Sequence, residues 1–559
     1  MTFLPIVDRE LRIAARRPAT YRLRFGVALA VMLLGFVVLV IAPSSTPAHR
    51  LSWNIFVTEG VVALLFCLFS GVFLTADCLS IEKREGTLGL LFLTDLNGFD
   101  VVLGKLAATS LHCIYALLAA LPMLGLPLLV GGVSGGEFTR LILVVLTTLF
   151  ISLSTGLCVS ALGQDARRTM LLTLGILVLL AGVFPALGTL AEAISNKGTA
   201  ATQWFLWSPV YTLIISFDST YRTASGLFWK SVSIHWLLCL SLFALAAILL
   251  PRTWQQRGSL SKQGTGSGGR SLRRFQPRRE RMLNPVGWYF ERDRVARVVA
   301  WWIIGPAGIL WLGFFIGSLI PSAGARPQEF FAISIYVGFA VHQLFKLVVA
   351  IEASRQMCED RRNGAIELML VSPLPHQMIV TAQWKALRRN LWKPMMIALL
   401  INVLFIVSFI FPNPLHLNKQ DRMTFLVVFV TGIILLILDF HALAWVGMWA
   451  GARGARHHRA VLAALGRIML PPWIGILCFI LIGVAGRGIS DSTGRALIVL
   501  WLLFGVGVSF ILGVTAKGQL LRDFRRLING DVPRGARASG SPFPVPLPAS
   551  SSVPAESAT

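Results

Sequence analysis

Apolar runs of 18 to 28 residues recur along most of the chain, separated by charged or glycine- and proline-containing stretches. Twelve can be drawn, at about 25–42, 53–76, 106–130, 141–162, 170–190, 231–250, 300–320, 330–352, 394–411, 423–450, 460–484 and 496–516. A helix needs about 20 apolar residues to cross the hydrocarbon core of a bilayer. Backbone groups in lipid must be paired within the protein, and runs of this length achieve that as helices rather than as barrel strands. The pattern therefore predicts an all-α polytopic membrane protein with about 12 transmembrane helices.

The polar stretches divide these runs six and six. Residues 252–283 are rich in Gly, Ser, Gln and Arg, the composition of a flexible, charge-extended tether. From about residue 529 the Pro/Ser/Ala bias is that of a disordered tail. Four segments follow: a first six-span half at 1–251, a basic linker at 252–283, a second six-span half at 284–528, and a tail at 529–559. The halves share a plan. Each opens on a proline and a basic, partly apolar segment, "LPIVDRELRIAARRPATYRLR" and "NPVGWYFERDRVAR". Such a segment fits a helix lying on the membrane surface, and equally the positive flank of a first span. Between the fourth and fifth spans "GQDARRTMLLTLG" (163–175) matches "GARHHRAVLAALG" (454–466) at Gly163/Gly454, Arg168/Arg459, Leu174/Leu465 and Gly175/Gly466. Six spans return the chain to its starting side, so the two repeats are parallel.

Charge changes the picture by giving it an orientation. The net charge is +25, which on a soluble chain would suggest nucleic acid. With both termini in the cytoplasm, 39 of the 51 Lys and Arg fall on cytoplasmic segments, ten fall outside and two lie within spans. That is the positive-inside asymmetry, and it fixes the orientation with cytoplasmic termini; the excess of Arg over Lys fits a bacterial inner membrane. A nucleic-acid partner is not expected, because no basic patch is interleaved with aromatics on a soluble domain. The N-terminal stretch is too charged for a cleavable signal, so the first span is expected to serve as the insertion signal. The seven cysteines form no C-x-x-C pair, which argues against a zinc site or a disulfide framework.

One feature of the polar stretches is repeated in detail. "EKREGTLGLLFLTDL" after the second span and "DRRNGAIELMLVSPL" after the eighth place glycines at 86 and 364, 278 residues apart. Asp77 to Glu85 reads as a helical extension of the second span, which Gly86 stops by taking a positive φ. Thr87 is then expected to cap a short helix, Leu88 to Leu93, that ends at the Asn97-Gly98 turn signal. Gly364 is the break in the second copy, and Pro373 and Pro375 are its stop. A short apolar helix on a charged stalk must lie on the membrane, on the spans, or in a partner's groove.

"EKREGTLGLLFLTDLNGFDVVLGKL" resembles the cytoplasmic loop of type-2 ABC exporter permeases. In that family the loop is the coupling helix that docks on a separate ATP-binding subunit, and a surface elbow helix precedes the first span. Glu85, Gly86, Thr87, Leu88, Leu91, Gly104 and Lys105 match the pattern, and the second copy matches at Gly364, Ile366, Glu367, Leu368, Pro373 and Leu374. The second copy departs at Asn363, Ala365 and Gln383. The resemblance implies two parallel six-helix repeats, each with an elbow helix and a coupling helix, and two copies of an ABC ATPase beneath them. ATP and magnesium would belong to that partner, and no cofactor to this chain. The chain's own near-matches to nucleotide motifs fail. "GFDVVLGKL" (98–106) has five residues between its glycines where a phosphate-binding loop needs four, and it lacks the following Ser or Thr.

Ionisable residues within spans are expensive and count as functional hypotheses. Lys346 and Asp439 each lie 16 residues in from the outer ends of the eighth and tenth spans, at 330 and 423, so a pair between them is expected, with His342 and His441 nearby. It fits a polar element of a translocation path and equally a structural interhelical pair. The external segment 191–230, with Trp204, Trp207 and Tyr211, fits a re-entrant outer gate and equally plain interfacial anchors. Two rival classes stand beside the ATP-driven exporter. An ion-coupled carrier would place coupling on Asp439, Lys346 and Glu352, and a non-transporting anchor would use the linker and tail.

Overall fold

The computed structural model describes residues 12, 18–42, 46–93, 97–195, 198–253, 297–305, 307–308, 327–373, 375–410, 419–453, 457–487 and 491–529. The described residues are 93% helical with no strand, and eleven helices are long and apolar enough to cross a membrane. The chain is an all-α polytopic membrane protein. Of the twelve expected spans, the seventh (300–320) is described only as far as residue 308. Most of both expected elbow segments, almost all of the linker and almost all of the tail lie outside the described residues; the end of the first elbow segment, Pro18–Arg24, is helix continuous with the first span.

In the first half the spans are α1 (Pro18–Ile41), α2 (Ala48–Ser70), α5 (Gly98–Val130), α6 (Gly135–Leu162), α7 (Ala166–Val178) continuing into α8 (Phe184–Ser195), and α11 (Asp218–Thr253). Between α2 and α5 stand a stalk, α3 (Cys78–Glu85), and a short helix, α4 (Thr87–Phe92). Two eight-residue helices, α9 (Gly198–Phe205) and α10 (Pro209–Ser216), precede α11. The second half repeats the order: α12 (Pro327–Arg362) carries span and stalk together, followed by the short α13 (Ala365–Val371), then α14 (His376–Ile410), α15 (Lys419–Ala452), α16 (His457–Arg487) and α17 (Asp491–Asn529).

The fourth span is the hub of each half. In α6, 78% of the apolar window is buried, against 11% for α1, which therefore faces lipid. Helices do not gain from apolar burial when the solvent is hydrocarbon, so close backbone approach and polar contacts hold them together. Residues 71–75, which extend α2 as one π-type turn, meet α6 at Gly71. The Gly71 amide donates to Ser152 Oγ at 2.9 Å, and Ser152 Oγ donates to the Leu68 carbonyl at 2.7 Å. A Cβ on Gly71 would fall 2.1 Å from the Ser152 carbonyl oxygen. Gly156, one turn further along α6, faces Thr75 as closely. The same crossing recurs between α12 and α15, where Gly447, the repeat equivalent of Gly156, packs on Ala353 and Gly451 packs on Ser354.

The segment before α11 folds back into the bundle. Ser231 Oγ, thirteen residues along α11, donates to the Leu206 carbonyl at 2.9 Å, and Ser208 Oγ donates to the Ala181 carbonyl at 3.3 Å. The turn at 206–208 thus packs against the start of the sixth apolar run at Ser231 and against Ala181 in the turn that joins α7 to α8. Its other end is latched near the start of α6: Arg140 Nε donates to the Ser216 carbonyl at 2.8 Å, and the Asp218 amide donates to Glu137 Oε1 at 2.7 Å.

Candidate functional site: two short helices at one end of the bundle

Both stalks end on a glycine in the left-handed region, Gly86 at φ 72° and Gly364 at φ 70°. Side chains with a Cβ rarely adopt this conformation, which turns the chain sharply out of the stalk. Gly86 itself occupies the N-cap position of α4, so Thr87 is its first helical residue rather than its cap. The Thr87 hydroxyl turns back instead, donating to the Glu82 carbonyl at 3.3 Å.

Counting from each glycine, the two short helices present the same faces. The second residue is an anchor: Leu88 and Ile366 are each 1% exposed. Leu88 enters a small core with Leu79, Val101, Leu157 and Leu250, against which Leu91 packs half-buried. The fourth and seventh residues face solvent. Leu90 is 65% and Leu93 82% exposed, and their counterparts Leu368 and Val371 are 76% and 87% exposed. Residues three apart lie on one helix face, so each half offers a two-residue apolar ridge pointing away from the bundle. Glu367 is exposed beside its ridge. Of the apolar residues expected to contact a partner, Leu368 is on this face, Leu91 is half-covered, and Leu88 and Ile366 point into their own halves. Leu90, Leu93 and Val371 were not singled out from sequence. The helical spacing from glycine was the available signal, but not which face the bundle covers.

The stalks are fixed by a second repeated device. Three residues before each glycine stands a cation. Lys83 Nζ donates to the Ala161 carbonyl and, at 2.9 Å, to Thr253 Oγ1. Arg361 donates to the Ala452 carbonyl and, at 3.1 and 3.0 Å, to the carbonyls of Leu527 and Ile528. The Ala161, Ala452, Leu527 and Ile528 carbonyls belong to the last turns of spans four and six, and Thr253 Oγ1 to the end of span six, where a cation also complements the helix dipole. One residue earlier, Glu82 and Lys105 pair at 2.6 Å in the first half, and Asp360 and Gln383 are buried at the equivalent positions. The Lys105-to-Gln383 departure seen in the sequence therefore changes how the stalk is held rather than the exposed ridge.

Among the described residues, two ion pairs join the halves at this end. Arg362 Nη2 lies 2.7 Å from Glu85 Oε1, with both side chains about half exposed, and links the two glycine turns directly. Deeper, Arg167 at the start of α7 places Nη1 2.6 and 2.7 Å from the two oxygens of Glu352 on α12. Arg167 is fully buried and Glu352 nearly so. The repeat equivalent of Arg167 is His458, and that of Glu352 is Leu74, so this contact has no mirror copy.

Lys346 Nζ and Asp439 Oδ2 are brought to 2.6 Å, and Ser509 on α17 donates to the other carboxylate oxygen. His342, one turn along α12, shares a 2.9 Å hydrogen bond with Asn402 of α14. His441 instead accepts from Trp445 Nε1 at 3.1 Å. The cluster stitches α12, α14, α15 and α17 within the second half. Among the described residues no group of three or more His, Cys, Asp or Glu side chains is placed to hold a metal ion.

Residues 44–250 match the family model described as "ABC-2 family transporter protein". No curated protein matches the chain.

Proposed function

We propose that the chain, whose residues 44–250 match the ABC-2 family transporter model, is the membrane subunit of an ATP-driven exporter with both permease halves in one polypeptide. The observation that carries this reading is the pair of short helices at one end of the bundle, each behind a left-handed glycine and each exposing an apolar ridge. A separate ATPase offers two equivalent grooves, and a helix laid in a groove is recognised through apolar residues on one face. Leu90 and Leu93 fill one groove in this proposal, and Leu368 and Val371 the other. Leu88 and Ile366 hold the helices to their halves, and Glu85, Gly86, Thr87, Gly364 and Glu367 set their exit.

The stalk contacts support transmission. A push on either short helix reaches spans four and six through Lys83 or Arg361, and reaches the other half through Glu85–Arg362. Closure of the ATPases on ATP then rocks the halves about their shared interface, exposing the path to opposite sides in turn. ATP and magnesium act in the partner, and this chain contributes no bond chemistry.

The test is co-purification of the full chain from mild detergent, with mass spectrometry for a protein bearing G-x-x-x-x-G-K-[ST]. We expect such a subunit with the parent chain and its loss with Leu90→Arg/Leu93→Arg or Leu368→Arg/Val371→Arg, the permease itself remaining monodisperse. Absence of an ATP-binding partner, or its full retention by both variants, would refute the reading.

A further inference from the structure

The second half carries, on the side of the short helices, an aromatic and cationic cluster that the coupling machinery does not use. Trp384 of α14 and Trp445 of α15 stack with ring centroids 6.1 Å apart. The guanidinium of Arg388 lies 5.0 Å from the Trp384 ring, and Lys517 Nζ lies 5.6 Å from the Trp445 ring. His441 packs edge-on against both indoles and is exposed. Arg388 and Lys517 are also exposed, and among the described residues neither forms an ion pair with a carboxylate.

The sequence places this cluster at a membrane boundary. Lys517 is the first charged residue after the uncharged run 496–516, and Arg388 lies six residues before the uncharged run 394–410. From Arg388 one face of α14 continues through Trp392, Met396, Leu400, Val403 and Val407, each 45–55% exposed. Residues spaced three and four apart form one stripe along a helix. The apolar part of this stripe, Trp392 to Val407, is about 22 Å long and starts next to a cationic head, so an acyl chain can lie along it, headgroup first.

The repeat supplies an internal control. The equivalents of Trp384, Arg388, His441 and Trp445 in the first half are Leu106, Ser110, Phe150 and Ser154. All are uncharged, although they belong to spans of the same order and direction. Insertion and orientation therefore do not require the cluster, because the first half has the same layout without it.

We propose that the face formed by α14, α15 and α17 binds an anionic phospholipid of the leaflet on the side of the short helices. Arg388 recognises its headgroup phosphate while Lys517 adds positive charge to the same surface, the partly exposed Trp384 ring, backed from the core by Trp445, supports the headgroup–chain junction, and an acyl chain follows the α14 stripe. Cations near an anionic surface attract it, and the exposed part of the Trp384 ring adds an apolar face beside Arg388, while Trp445, 3% exposed, holds that ring in place from the core. The site is absent from the first half, so the two halves meet the bilayer differently. The proposal rests on membrane insertion alone and not on the exporter reading.

The full chain in detergent is offered phosphatidylglycerol and phosphatidylcholine in equal amounts, and co-eluting lipid is counted by mass spectrometry. We expect phosphatidylglycerol to be retained over phosphatidylcholine, and Arg388→Gln/Lys517→Gln to cut that preference roughly tenfold or more. Arg522→Gln/Arg526→Gln, which removes the same charge elsewhere on α17, is expected to leave it intact. Trp384→Leu keeps every charge and is expected to weaken retention, which covers the case where the double variant does not elute as one species. No preference in the parent, an equal fall in the control variant, or displacement of the lipid by millimolar inorganic phosphate would overturn the proposal.

Discussion

Arg167 and Glu352 offer the sharpest test of how the halves are joined. Arg167→Met leaves the Glu352 carboxylate buried opposite a thioether, with neither of its short contacts at 2.6 and 2.7 Å. Removing one partner of a buried ion pair costs about 3–5 kcal/mol, because the remaining charge is uncompensated. Replacing both partners by apolar residues of similar volume is often neutral or stabilising, so Arg167→Met/Glu352→Leu is expected to recover most of the loss. The two single variants and the double variant form a cycle whose interaction energy is expected to exceed about 2 kcal/mol, well beyond that of additive sites. The assay is thermal unfolding of the detergent-purified chain followed by the loss of its monodisperse peak. A unit of about 250 residues shifts by roughly 2–4 °C per kcal/mol, so each single variant is expected to melt about 6–20 °C lower. Additive losses in the double variant, or single variants that melt like the parent, would refute the claim that this pair clamps the halves. A charge swap, Arg167→Glu/Glu352→Arg, is expected to fare worse than the apolar double variant, since both sites are enclosed and differ in size.

Three further outcomes are expected. Gly86→Ala meets no atom within 4 Å of the new Cβ, so its cost is the backbone term alone, about 1–2 kcal/mol, and Gly86→Asn is expected to cost less; equal melting temperatures for parent and Gly86→Ala would contradict the left-handed turn. Gly447→Leu drives side-chain atoms into Ala353 and is expected to cost about 1–3 kcal/mol or more by overpacking, whereas Gly466→Ala, whose nearest neighbour is the Leu470 side chain at 3.6 Å, is expected to be silent in the same melting assay. Lys346→Ala and Asp439→Ala are each expected to reduce expression, and the double variant to restore it; additive losses would show that the 2.6 Å pair is not a mutual one.

The hydrophobic pattern settled the class of this protein, because the thickness of a bilayer leaves few alternatives for runs of 18 to 28 apolar residues. The repeat was also legible. Gly86 and Gly364 stand at equal register because only glycine takes the left-handed turn without strain, so that geometry is written in residue identity. The pairing of Lys346 with Asp439 could be anticipated for a related reason: a charge in a span needs a partner, and equal depth left few candidates.

Other features were decided only by the tertiary structure. Composition could not say which face of a one-and-a-half-turn helix meets its bundle, since Leu88, Leu90, Leu91 and Leu93 are chemically alike and the helix is too short to show a period. The packing of α4 against Leu79, Val101 and Leu250 made that choice, turning Leu88 inward and leaving Leu90 and Leu93 outside. Nor could local sequence reveal that Glu85 would meet Arg362, or Arg167 would meet Glu352, 277 and 185 residues away. Those contacts depend on how two halves with separate local codes lie against each other. Element type is set by short-range sterics and by the solvent each run must satisfy, whereas face and partner are set by long-range packing, which no window of the chain contains.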